Sequence, residues 1–197
     1  MSITAAIICA VVYAVINWLD PYTLSWQCLN RPIVVAPLVG LLLGDFQTGI
    51  IMGASLEAIF MGISAVGGSI PSDCLSGSII AVAYTIVVGG DGAMETGLAL
   101  TIGTVMSTIN TMLMPLWAGL APYWERLASE CKPNKFRAIS MVVNFIASLP
   151  GAAIIFLGVA FGIEGLQAGL AACPAWVMTG LAAAGTMMTA VGFGILL

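Results

Sequence analysis

Residues 30–62 read NRPIVVAPLVGLLLGDFQTGIIMGASLEAIFMG. The stretch is apolar over most of its length, yet it places two acids, Asp45 and Glu57, twelve residues apart, and four glycines interrupt residues 44–62. Between the Arg31-Pro32 pair and Asp73 the uncharged pieces are 33–44, 46–56 and 58–72. None reaches the ~20 residues of an ordinary spanning helix. Glycines recur at 40, 44, 49, 53, 62, 67 and 68. Half-length helices interrupted by glycine point to re-entrant or broken helices, where irregular backbone is tolerated because it lines a cavity. A re-entrant helical hairpin is therefore expected over about residues 32–72. Gly44 ends its first arm and Asp45 N-caps the second. The turn after Gly62, with Gly67, Gly68 and Pro71, ends it.

The rest of the chain supplies the setting. Of its 197 residues 60% are hydrophobic and only 7% charged, where a soluble domain carries roughly a quarter charged residues. Such a chain cannot cover itself against water, so an integral membrane protein is expected. Its net charge of −4 rests on few groups and says little about partners, and no basic patch suits nucleic acid. The run 3–19 holds 17 uncharged residues, about the minimum for a spanning helix. Without a positive n-region or an A-x-A cleavage site it reads as a retained helix and not a signal peptide.

Further uncharged runs cover 74–90, 96–124, 138–163 and 165–197, each long enough to span. The expected fold is all-α and polytopic: about five spanning helices plus the hairpin, in one membrane domain over residues 1–197. Pro150-Gly151 is a candidate kink, and Pro174 fits a final helix starting near Ala175. The only polar linker, 124–140, carries Arg126, Lys132, Lys135 and Arg137, four of the five basic residues. The positive-inside rule makes it cytoplasmic. That puts turns at 89–95 and at Glu164 outside. Trp18, Tyr22, Trp26, Trp117 and Trp124 fit interfacial belts.

An ionised carboxylate at membrane depth costs roughly 3 kcal/mol on insertion scales, so each acid needs a reason. Asp45 has helix capping as its bland explanation. Glu57 lies far from any capping position, which leaves a paired or protonated carboxyl at a helix contact, or a binding role. Sugar hydroxyls suit a carboxylate acceptor, and cation coupling is the rival use of the same group. Asp73 reads most simply as another N-cap. G-x-x-x-G pairs at 40/44, 49/53, 158/162 and 165/169 fit close packing, within the chain or between subunits.

Five dispersed cysteines and no histidine imply no metal site and exclude Ser–His or Cys–His catalysis and a phosphohistidine on this chain. Phosphate-loop and dinucleotide fingerprints are also missing. No catalytic residue and no cofactor is expected.

Residues 30–62 resemble the enzyme IIC permease subunit of the mannose/fructose/sorbose-type phosphotransferase system. The family pattern pairs R-P with L-V-G-x-x-L-G-D-x-x-T-G-I-x-x-G-x-x-L-E. It falls here on Arg31-Pro32, Leu38-Val39-Gly40, Leu43-Gly44-Asp45, Thr48-Gly49-Ile50, Gly53 and Leu56-Glu57. Weaker similarity in 67–73, 89–97 and 180–197 extends the likeness to essentially the whole chain, with its specificity concentrated in residues 30–62. The resemblance implies a bacterial inner-membrane, multi-pass sugar permease working with a IID membrane subunit, in trimeric assemblies. IIA and IIB subunits would carry phosphate on histidines and phosphorylate the arriving hexose or amino sugar. By the family's pattern Glu57 and its hairpin neighbours would contact the sugar, and Asp45 and Ser64 are the further candidates for substrate binding. Mannose-type members carry aromatic and amide groups after Gly62, where this chain has Ile63-Ser64-Ala65, so the resemblance leaves the sugar open. Family members usually continue past the position of Leu197, so a truncated form is also expected. Two other readings remain: a substrate-binding membrane subunit of another small-molecule transporter, and a non-transporting remnant or peptide receptor.

Overall fold

The computed structural model describes residues 2–22, 28–63, 72–89 and 93–172, with isolated positions between 179 and 194. The elements are helices: α1 (Ser2–Tyr22), α2 (Pro32–Leu43), α3 (Phe46–Phe60), α4 (Cys74–Val88), α5 (Ala93–Ala118), α6 (Ala121–Ser129) and α7 (Pro133–Ala172). Among the described residues, three stretches are long and apolar enough to cross a membrane: Ile3–Asp20 of α1, Ala99–Ala118 of α5 and Pro133–Gly162 of α7.

The centre of the bundle is α4, which touches α1, α2, α3, α5 and α7. Every residue from 75 to 85 is buried, as befits a helix apolar on all sides. The run 74–90, expected to span by itself, forms only these 15 residues of α4, about 22 Å of helix. Asp73 caps its start, accepting the Leu75 N–H at 3.1 Å, and Gly89 at φ 75° ends it. Walled in by protein, α4 has a length set by its caps and not by bilayer thickness. Its buried hydroxyls are satisfied by carbonyls: Ser78 donates to Cys74 O at 2.6 Å, Thr85 to Ala81 O at 2.9 Å and Tyr84 to Gly158 O at 2.7 Å.

These contacts also fix helix directions. Trp18 Nε1 donates to Met141 O at 3.1 Å and meets Phe145 edge-on, while Tyr13 fills the notch at Gly151. Later residues of α7 thus meet earlier residues of α1, so the two are antiparallel. Ile80 lies against Gly158 and Tyr84 against Gly162, making α4 parallel to α7. The Asp73 N–H reaches Gly103 O at 2.9 Å and Gly77 faces Ala99, making α5 antiparallel to α4.

Two expectations about connections are corrected. The polar segment 124–140 is mostly helix, interrupted only around Glu130–Lys132, where Cys131 takes φ 49°. Its polarity marked an exposed surface and not irregular backbone, and prolines stand in the first turns of both α6 and α7. No turn forms at Glu164, because α7 runs on to Ala172. Glutamate is a good helix former and stops nothing by itself. Pro150 is accommodated inside α7. Ser64, the turn at Gly67, Gly68 and Pro71, Trp26 and the helix start after Pro174 lie outside the described residues.

Candidate functional site

The hairpin is α2, the turn Gly44–Asp45, and α3. Gly44 takes φ 92°, where a Cβ is disfavoured. The Asp45 N–H donates to Gly40 O at 2.9 Å and the Gly44 N–H to Leu41 O at 3.4 Å, the bond pair that closes a helix through a left-handed glycine. Asp45 then starts α3. Its Oδ1 accepts the Thr48 N–H at 3.0 Å and its Oδ2 the Thr48 hydroxyl at 2.5 Å. Both oxygens of this acid therefore serve the cap.

Small residues let the arms lie against each other. A Cβ on Gly49 would fall 2.7 Å from Ala36 O, and one on Gly40 would fall 2.8 Å from Gly49 Cα. Gly53 sits against Ala36 and Pro32. The 49/53 pair thus packs within the chain, as does 158/162 against Ile80 and Tyr84 of α4. In the 40/44 pair, one glycine packs and the other turns.

Close packing brings together the two ends of the hairpin farthest from its turn. Arg31 is the N-cap residue of α2, but its side chain makes no cap hydrogen bond. It crosses instead to Glu57 in the last turn of α3. Its Nε donates to Oε1 at 2.8 Å and its Nη2 contacts the same oxygen. Glu57 Oε2 accepts the Ile33 N–H at 3.2 Å, one of the first-turn donors that a helix cannot satisfy internally. Glu57 therefore caps α2 from the neighbouring arm, with the positive end of that helix favouring its charge.

The pair is neither dry nor free: Arg31 is 27% and Glu57 19% exposed. A carboxylate offers about four lone-pair sites and a guanidinium five N–H donors, and among the described residues the bonds above leave some of each unused. Asp45 and Glu57, proposed from sequence as parts of one site, stand at opposite ends of α3, about 18 Å apart along the axis. Arg31 was missed as Glu57's partner. The available signal was its isolation, as the only basic residue outside 126–137.

A second cluster lies at the α6–α7 turn, beside an open hollow of about 380 Å³ lined in part by Tyr123, Arg126, Lys132 and Lys135. Glu130 accepts Lys132 Nζ at 2.6 Å and Arg126 Nε at 3.1 Å. Hydrogen bonds from Lys132, then from Arg126, hold its carboxyl below the usual glutamate range. Among the described residues, no three acids or cysteines are grouped to hold a metal.

A family model described as the sorbose-specific IIC component of the PTS matches residues 3–197. N-acetylgalactosamine permease IIC component 1 of Escherichia coli is 30% identical over 86% of this chain, which spans 63% of that relative's length. The mannose-specific EIIC component of Escherichia coli is 29% identical over 85% of the chain and 64% of its own length. Among solved structures, the mannose transporter ManYZ in complex with a microcin superposes with a TM-score of 0.64 at 25% identity. That match covers 99% of this chain and 77% of the other.

Proposed function

The chain belongs to the family of the sorbose-specific IIC component of the phosphotransferase system, and on that premise we propose that it is a sugar-translocating membrane subunit. It works in a bacterial inner membrane with a IID subunit, and IIA and IIB chains supply the phosphoryl group. The residues 1–197 act as one permease domain, with the α6–α7 turn on the cytoplasmic side and the α2–α3 hairpin re-entering the bilayer. An absence of histidine fits phosphoryl carriage elsewhere.

The observation that carries the proposal is the Arg31–Glu57 pair at the mouth of the hairpin. Sugar hydroxyls both donate and accept. A carboxylate with a lone pair to spare beside a guanidinium with N–H groups that no described residue takes up answers both needs. The pair is neutral overall and so suits an uncharged sugar. Asp45 and Ser64 belong to the proposed sugar path less directly, Asp45 because both its oxygens are engaged by Thr48.

Binding of radiolabelled N-acetylgalactosamine, mannose and sorbose to membranes holding this chain with its IID partner tests the proposal. The three sugars are those for which relatives are named. At least one should bind, and Glu57→Gln should weaken it. Hydrogen bonds to a charged group contribute about 1.5–3 kcal/mol, so the loss should be about ten- to a hundredfold. Binding unchanged in Glu57→Gln would remove the pair from the site.

A further inference from the structure

One carboxylate has no part in the site so far. Asp20, in the last turns of α1, is completely buried. Its Oδ1 accepts the Leu29 N–H at 3.0 Å, nine residues on. Among the described residues its Oδ2 has no hydrogen-bond partner. A fully buried acid with one oxygen unanswered is a costly way to hold a turn, and what it holds is the approach to Arg31.

The segment 28–31 is constrained at each residue. Cys28 takes φ 62°, a left-handed conformation that non-glycine residues adopt infrequently. Leu29 is held by Asp20. Cys74 Sγ, at the start of α4, donates to Asn30 O at 3.5 Å. The Arg31 N–H closes the turn on Cys28 O at 3.2 Å. Arg31 then enters α2 and reaches Glu57. A buried anchor on α1 and a half-buried one on α4 thus determine where the Arg31 backbone stands, and the guanidinium geometry follows from it. The pair needs such control, because two N–H groups of one guanidinium must meet a single oxygen while Ile33 N–H meets the other.

We propose that Asp20 is a positioning residue for the Arg31–Glu57 pair: by holding the Leu29 amide it sets the point at which Arg31 enters α2, and so the fit of the pair to a sugar. This rests on the pair being the sugar site. Asp20 acts through the backbone and touches no substrate, so what it controls is affinity. A group that only supported folding would change the amount of protein and not the affinity of what remains.

The test uses the same membranes, with apparent sugar affinity and binding capacity measured separately. Asp20→Ala removes the acceptor and should raise the apparent dissociation constant about tenfold. Asp20→Asn keeps an oxygen able to accept the Leu29 N–H and should stay within about twofold of the parent. In a Glu57→Gln background, where the pair is already broken, Asp20→Ala should add less than about twofold. Three outcomes overturn the proposal: Asp20→Ala lowering capacity at unchanged affinity, Asp20→Asn failing as badly as Asp20→Ala, or full additivity with Glu57→Gln. If Glu57→Gln itself leaves affinity unchanged, the site reading fails first. If Glu57→Gln weakens binding and Asp20→Ala does not, only the role of Asp20 falls.

Discussion

Among the described residues two carboxylates form ion pairs, and they share almost nothing else. Glu130 takes Arg126 four residues before it and Lys132 two residues after it, on a turn where Arg126 is 77% exposed. Glu57 takes Arg31 from 26 residues away and ties one helix end to another. Local, hydrated pairs are worth about 0–1 kcal/mol. A pair withdrawn from water is different, because removing one partner strands the other; for fully buried pairs that costs about 3–5 kcal/mol, and the partial exposure here lowers the figure. The same ions decorate a surface in one region and join two helices in the other. The difference comes from the glycine contacts that bring the two ends of the hairpin together.

Those contacts are the place to break the contrast most severely. Gly49→Leu would drive a side chain into Ala36 O and Gly40 Cα, backbone atoms that cannot rotate aside. Overpacking usually costs about 1–3 kcal/mol, and this site should lie at or beyond the upper end. The melting temperature in detergent should fall sharply, and sugar binding should vanish with the Arg31–Glu57 pair. Gly158→Ala is the control, because among the described residues its Cβ would meet only Ile80 Cδ1 at an ordinary 3.6 Å. An unshifted melting temperature in Gly49→Leu would mean that the arms do not meet through these glycines.

Asp45 sharpens the contrast with a smaller effect. As a cap, its replacement by alanine should lower the melting temperature, though by less than Gly49→Leu does. Serine can accept the Thr48 N–H without a charge, so Asp45→Ser should recover most of that stability, and sugar binding should recover with it. Stability restored without binding would instead make Asp45 a sugar contact, and the functional surface would then run the length of α3.

What could be read ahead of the coordinates follows the range of the forces involved. The Gly44–Asp45 turn was legible because its chemistry is local: a left-handed glycine and a carboxylate answering an amide three residues on. The Asp73 cap was legible for the same reason. The place of α4 was not, since hydropathy cannot tell lipid from protein interior, and a 15-residue apolar helix reads alike in either. The Arg31–Glu57 pair was half legible: the acid stood out, but its partner emerges only once the arms close. The polar run 124–140 looked like a linker because its charges do not reveal that prolines start helices on either side of Glu130–Lys132.

The smallest effect belongs to Glu130, and its pH dependence has a definite sign. Lys132 and Arg126 lower its pKa in the folded chain below the ordinary 4.5. The folded protein therefore holds this proton less tightly than the unfolded chain does. Any stability that follows is present above 4.5 and is lost as the pH falls through the folded value. Glu130→Gln should leave the melting temperature at neutral pH almost unmoved. Parent and variant should converge further at low pH, and also at about 1 M salt, where the screening length shrinks to about 3 Å. Glu57→Gln should keep its deficit at high salt, because its ions are mostly shielded from water by protein. If the two variants lost the same stability and responded alike to salt, the distinction between a joining pair and a decorating one would fail.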